Sequence, residues 1–321
     1  MRRLLATSLI LLSLLLLTGS AAAATPYKLL AWGDCRPSTT SGTAVSTGLR
    51  VIAKAMRAEH ADRAIAGGDY VNLDTSDSIA TINAKYDAFF ATYRTIGVGT
   101  DYLMGNHEAV SDNARAVYNS RVHAAPGYYA VTRGPFHVIA LNTDEPGYSE
   151  HIGFYGVGDS RNSAQADWLV RTLRTIANKR AWIIVALHVP LLDPKLDSAF
   201  ATTSRSERDA LVRLFRNYGV DLVLQGDIHN YRRHHCANGT DYVTEGMGGA
   251  PPYAVSAAAL DSHDVKTVGS SPSSPRYGYV TVTRGTTGAI TGRMFWMHSS
   301  DGWQRHLGDR WNLHQILRKA R

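Results

Sequence analysis

Five short apolar runs in this chain each stop at residues suited to acid–base or metal chemistry. Tyr27–Trp32 runs into Gly33-Asp34, and Ala64–Ala66 into Gly67-Gly68-Asp69. Asp101–Met104 runs into Gly105-Asn106-His107-Glu108, Trp182–Leu187 into His188, and Leu222–Leu224 into Gln225-Gly226-Asp227-Ile228-His229. Runs of this length predict buried strands. A glycine after a strand lets the backbone turn sharply, and in open α/β sheets the ligand crevice lies at the carboxyl ends of the strands. One Gly-Asp is ordinary turn chemistry, and one histidine after a strand is more often structural than a ligand. Five such ends in one chain constrain it to an α/β sheet system that gathers acids and imidazoles at one edge.

The segments between these runs fit that frame. Val45–Glu59, Ile79–Tyr93 and Ser163–Lys179 carry apolar residues at helical spacing. Ser204-x-x-Glu207 reads as a capping box opening a helix that stops at Gly219. Tyr128–Thr132 and Phe136–Leu141 flank Arg133-Gly134-Pro135 and predict a hairpin. The C-terminal third turns to strands, at Tyr242–Thr244, Tyr277–Thr283 and Ala289–Trp296, while Ala254–Pro275, rich in Ala and Ser, reads as a surface insertion. This order predicts one α/β domain over residues 25–300 and a C-terminal tail over 301–321.

Residues 1–24 stand apart. Met1-Arg2-Arg3 is basic, Leu4–Leu17 is largely apolar, and Gly19–Ala24 is a run of small residues, the order of a secretory signal peptide. The apolar run is short of the roughly 20 residues of a membrane span. The expected location is therefore secreted or periplasmic, with no membrane anchor after cleavage. The 34 Lys and Arg against 27 Asp and Glu give +7, or +5 once the two arginines of the leader are removed. The basic residues are scattered, without a nucleic-acid-binding motif. An exported chain permits a disulfide, and the only two cysteines, Cys35 and Cys236, both follow motif strands, so a Cys35–Cys236 bond is an expectation.

Carboxylates, an amide oxygen and imidazoles, without a thiolate set, suit hard or borderline divalent ions such as Mn, Fe, Zn or Mg. A bridging carboxylate can hold two of them about 3.5–4 Å apart, an arrangement for in-line displacement at phosphorus.

The blocks Gly33-Asp34-Cys35-Arg36, Gly68-Asp69, Gly105-Asn106-His107-Glu108, Val185-Ala186-Leu187-His188 and Gly226-Asp227-Ile228-His229 resemble, in order, the signature of the calcineurin-like metallophosphoesterase superfamily. His188-Val189-Pro190, His229-Asn230-Tyr231-Arg232 and the glycine turn Gly246–Ala250 resemble its purple acid phosphatase branch. The resemblance implies a four-layer α/β/β/α sandwich of two packed mixed sheets and two divalent metal ions. It also implies hydrolysis of a small phosphorylated substrate, a phosphomonoester or phosphodiester, by a metal-held hydroxide. It implies that Asp34 and His229 hold one metal, that Asp69 bridges, and that Asn106 and His188 hold the other. His107 then protonates the leaving oxygen, oriented by Glu108 or a nearby acid.

The chain departs from that pattern at three positions. Arg36 stands where the family has the histidine of Asp-x-His. Asp227 replaces the first histidine of Gly-His-x-His, and remains a possible ligand. Asn72 stands where the purple branch has a tyrosine, so a tyrosinate–iron site is not expected. Arg36 cannot ligate a metal and stays charged. Either it forks onto substrate phosphate, which makes it a catalytic-site residue, or it pairs with Asp227. The alternative to an enzyme is a degenerate member that binds phosphate or metal, or acts as a cell-surface interaction domain, with little turnover.

Overall fold

The computed structural model describes residues 23–122, 127–143, 164–177, 181–192, 202–236, 239–254 and 264–316. The signal-peptide reading falls almost wholly outside them. Among the described residues, thirteen strands form two sheets. In chain order they are β1 (Tyr27–Trp32), β2 (Arg63–Ala66), β3 (Thr100–Tyr102), β4 (Tyr129–Arg133), β5 (Phe136–Ala140), β6 (Trp182–Leu187), β7 (Leu222–Gln225), β8 (Tyr231–His235), β9 (Asp241–Glu245), β10 (Asp264–Val268), β11 (Arg276–Arg284), β12 (Ile290–His298) and β13 (His306–Leu313). One sheet has the order β13-β12-β11-β1-β2-β3, the other β10-β8-β9-β7-β6-β5-β4. Strands β1, β2 and β3 run parallel, as do β5, β6, β7 and β9, while β11–β13 and the β4–β5 hairpin are antiparallel. Both sheets are mixed.

The apolar runs explain the layering. Successive side chains of a strand face opposite ways, so a run apolar on both faces needs cover on both sides. In β1, Leu29 and Ala31 enter the core between the sheets, while Leu30 and Trp32 enter the core beneath the first helical layer. In β6, Ile184 and Ala186 face the inter-sheet core, while Ile183, Val185 and Leu187 meet the second helical layer. Among the described residues, the first layer comprises α1 (Thr47–Arg57), α2 (Ile79–Tyr93) and α3 (Asp112–Val122), and the second α4 (Ala164–Ala177) and α5 (Thr202–Tyr218). Three cores separate four layers, the expected α/β/β/α sandwich.

Several details differ from the sequence reading. Helix α5 begins at Thr202, so Ser204-x-x-Glu207 lies within its opening turns rather than at its cap. The segment 254–275 supplies strand β10 on the edge of the seven-stranded sheet, with 255–263 outside the described residues. Within 301–321, His306–Leu313 forms β13, so the sheet extends past residue 300. Asp309 of β13 ties the two sheets together, accepting hydrogen bonds from Tyr231 Oη and Arg233 Nε of β8, each at 2.8 Å. The disulfide does not form. Cys35 is buried in the core under α1–α3, whereas Cys236 packs against the core under α4 and α5, with both sheets between them.

Helix α1 also positions the site. Ser46 caps it, its Oγ accepting from Leu49 N–H at 3.1 Å and donating to the Cys35 carbonyl at 2.8 Å. Gly48 in its first turn lies so close to the glycine turn that an added Cβ would stand 2.3 Å from Gly249 Cα. Alanine normally gains about 1 kcal/mol over glycine in a helix. A backbone clash of this kind costs about 1–3 kcal/mol, so Gly48→Ala is expected to lower stability in urea unfolding despite its better propensity. Non-reducing peptide mapping of the protein should find Cys35 and Cys236 not bonded to each other.

Candidate metal centre

Asp34, Asp69 and Asp227 each follow a glycine at a strand end, and each adopts a left-handed conformation, with φ of 58°, 58° and 63°. Such φ values are uncommon outside glycine, though Asp tolerates them better than most. Here they swing three carboxylates away from their strand axes towards one crevice.

Backbone hydrogen bonds hold the turns against one another. Asp34 N–H donates to the Gly68 carbonyl, and the Cys35 and Arg36 N–H groups both donate to the Asp69 carbonyl, all at 3.0 Å. The glycine turn closes from the other sheet, with Gly248 N–H on the Gly33 carbonyl at 2.8 Å and Ala250 N–H on the Asp34 carbonyl at 2.7 Å. A side chain at residue 105 would not fit, because its Cβ would stand 2.4 Å from Asp69 Oδ1.

Glu108 locks the second turn. It is fully buried, and Oε2 accepts from Asp69 N–H at 2.7 Å and Gly105 N–H at 2.9 Å while Oε1 accepts from Tyr70 N–H at 2.9 Å. Burial and the nearby Asp69 charge push its carboxyl up to about 8. Its oxygens hold backbone rather than His107. The acid beside His107 is Asp69, whose Oδ2 lies 3.8 Å from His107 Nε2 and whose Oδ1 accepts the His107 N–H at 3.0 Å.

The two ligand-type histidines are oriented alike. His188 Nδ1 donates to the Gly67 carbonyl at 2.7 Å, and His229 Nδ1 to the Pro251 carbonyl at 2.6 Å. Pinning Nδ1–H to a carbonyl fixes the tautomer and presents the Nε2 lone pair, the usual support for a metal-bound imidazole. His188 Nε2 lies 3.2 Å from Asn106 Oδ1, 3.4 Å from Asp69 Oδ1 and 3.9 Å from Asp227 Oδ1. His229 Nε2 lies 3.6 Å from Asp34 Oδ1, and its ring stacks on Tyr253 with centroids 4.2 Å apart.

The charges point the same way. Burial opposes a charge on His188, yet Asp69, Asp34 and Asp227 raise it to about 10. Burial lowers His229 to about 4 and also lowers His107. Burial drives Asp34 well up, whereas His188, His107 and Arg36 overcome the same penalty at Asp69 and hold it down. Among the described residues, Asp34 Oδ1 is buried without a hydrogen-bond partner. Ligand atoms of Asp34, Asp69 and His188 lie within 4.8 Å of one another. An orphaned buried carboxylate oxygen, two presented Nε2 atoms and an excess of acids fit a divalent cation.

Arg36 turns into this crevice. Its Nε donates to Asp69 Oδ2 at 3.2 Å, so its carboxylate partner is Asp69 and not Asp227. Asn72 lies to one side, its amide donating to the Pro37 carbonyl at 3.1 Å. Sequence reasoning missed Tyr253, and also Glu245, a buried carboxyl just before the glycine turn that burial raises well above the usual range. The Pro251-Pro252-Tyr253 run after that turn was the available signal for Tyr253, while Glu245 had none.

The family model for calcineurin-like phosphoesterases matches residues 47–231, more than half of the chain. The chain belongs to that family. Among curated proteins, this calcineurin-like phosphoesterase is similar to a phosphoenolpyruvate phosphatase of Allium cepa, at 31% identity over 34% of the chain and 20% of the relative. It is also similar to acid phosphatase A of Cryphonectria parasitica, at 27% over 53% of the chain and 36% of the relative. The matches thus span a fifth to just over a third of those relatives. In fold it resembles a purple acid phosphatase, PPD1, from seeds of yellow lupin (Lupinus luteus), with a TM-score of 0.68 and 17% identity over 90% of this chain and 54% of that one.

Glu108→Gln tests the clamp. It would set an amide N–H₂ against backbone N–H donors, and leaving a buried donor unpaired costs about 1–3 kcal/mol. Denaturant unfolding should show that loss, and calorimetric titration should show weaker Mn²⁺ binding because the Asp69 turn loosens. A variant unchanged in both would remove the clamp.

Proposed function

We propose that this protein is an exported, metal-dependent phosphoesterase that hydrolyses small phosphate esters. The observation that carries this reading is the convergence of Asp34, Asp69, Asn106, His188, Asp227 and His229, with both histidines presenting Nε2 to the acids. Asp69, Asn106, His188 and Asp227 form one set of donors, and Asp34 with His229 another. A divalent ion there supplies Lewis acidity, polarising the phosphoryl oxygen and acidifying water. The leader-like residues 1–24 support export, and among the described residues no helix is long and apolar enough to cross a membrane.

His107 is the general acid. It is partly exposed, beside rather than within the donor set, and Asp69 is the acid near its Nε2. There it can hand a proton to the departing alkoxide, a contribution of about 10²–10⁴-fold in rate. Arg36 offers the substrate a fixed positive charge. Among the described residues its two terminal Nη groups donate no hydrogen bond, which leaves them for phosphate oxygens.

The test is hydrolysis of an aryl phosphate and a bis-aryl phosphate by the mature protein. Exhaustive chelation should abolish turnover, and Mn²⁺ should be among the ions that restore it. His107→Ala should lower kcat by about 10²–10⁴-fold with metal retained, whereas Asp69→Asn should lose metal. Full activity in the metal-free protein would overturn the reading. A protein that binds metal but turns over neither ester would favour the degenerate, binding-only alternative.

A further inference from the structure

We propose that the Arg36 guanidinium occupies the place of one cation, so that the chain holds a single tightly bound divalent ion between Asp69, Asn106, His188 and Asp227. The inference rests on the metal-dependent reading of the site and concerns how many ions that site takes.

The two donor sets are unequal. Metal–ligand distances of about 2.0–2.2 Å place neighbouring ligand atoms roughly 3.0–3.6 Å apart around one ion. Around His188 Nε2, Asn106 Oδ1 at 3.2 Å and Asp69 Oδ1 at 3.4 Å already have that spacing, and Asp227 Oδ1 at 3.9 Å needs a small inward shift. This set has four donors from four strand ends, three of them oxygens.

The other set is Asp34 Oδ1 and His229 Nε2, 3.6 Å apart. A bridging carboxylate would have to turn its second oxygen towards them. Asp69 Oδ2 is the oxygen that Arg36 Nε holds at 3.2 Å and that His107 Nε2 approaches at 3.8 Å. Arg36 is fixed there at both ends, by its own N–H on the Asp69 carbonyl at 3.0 Å and by a side chain only 14% exposed. A guanidinium keeps its proton in proteins. It therefore adds no ligand at this position and repels a divalent ion from it.

Electrostatics agree. A second divalent ion beside Arg36 would set two cations against each other in a place where buried charges interact strongly.

The experiment counts ions. Wild-type protein, stripped by chelation, is titrated with Mn²⁺ by calorimetry and followed by electron paramagnetic resonance. One tight equivalent is expected, with the spectrum of an isolated Mn²⁺ ion. Arg36→His supplies a neutral ligand and should take two equivalents, with spectral loss through coupling of adjacent ions. Should that variant fail to fold, Arg36→Gln removes the charge alone and should strengthen binding of the second equivalent by at least about tenfold. Two wild-type equivalents with affinities within about tenfold of each other would overturn the proposal. So would variants that still take one equivalent with no second event. No Mn²⁺ binding at all would defeat both the proposal and the metal-dependent reading. One tight ion in a protein without esterase activity would leave the ion count standing and remove only the phosphoesterase reading.

Discussion

The turn at Asp69 is the constraint on which the rest of the centre depends. Its carbonyl receives the Cys35 and Arg36 amides, its own amide is held by Glu108, one carboxylate oxygen receives the His107 amide, and the other receives Arg36. A single residue thereby sets the spacing between the ends of β1, β2 and β3. His188 reaches the same turn from the second sheet through the Gly67 carbonyl. The two sheets meet in register at this point because polar atoms of one complete the turn of the other, and the inter-sheet core behind them fills the remaining volume.

Burial alone drives carboxyls towards the neutral form. Asp34, Glu108 and Glu245 follow that rule. Asp69 departs from it, because His188, His107 and Arg36 surround it with positive or protonatable groups. The same field acts in reverse on His188, whose proton is held by three carboxylates. A proton and a divalent ion compete for that field, and the ion brings twice the charge to the same Nε2 and oxygen atoms. The acid-rich interior is thus unfavourable as bare protein and suited to a bound cation.

Much of this was legible in the sequence, and the exceptions have physical causes. Strands β1 and β6 and helix α2 coincide with the expected ranges because their apolar patterns serve one purpose, burial. Strand β8 was missed because Tyr-Arg-Arg-His-His carries no apolar run. Its charge is made tolerable by Asp309 and by Arg233 lying over Trp311, contacts more than seventy residues away in the chain. The candidate site residues could be named from the sequence because they stand in series at strand ends, which the fold brings to one crevice. The work of Glu108 was misread for the opposite reason. Nothing local in Gly-Asn-His-Glu reveals that the Asp69–Tyr70 peptide will arrive with unpaired N–H groups. The direction of Arg36 was equally hidden, since Asp69 and Asp227 are both acids and only the fold decides which is nearer.

Three aspartates at positive φ add a cost of about 1–2 kcal/mol each. Summed, that is a substantial share of the net stability of about 5–15 kcal/mol typical of folded proteins. Strain of this size persists only where the surroundings fix the backbone from several sides. At Asp34 and Asp69 they do so through hydrogen bonds from neighbouring turns, and at Asp227 through its N–H on Asp34 Oδ2 at 3.0 Å. Glycine at any of the three would relieve the strain and abolish the carboxylate. Asparagine would tolerate the backbone but carry no charge, leaving one neutral oxygen where a carboxylate faces His188 and, at Asp69, Arg36. Aspartate therefore stands at a strained backbone position because only a carboxylate in that conformation both closes the turn and faces the crevice.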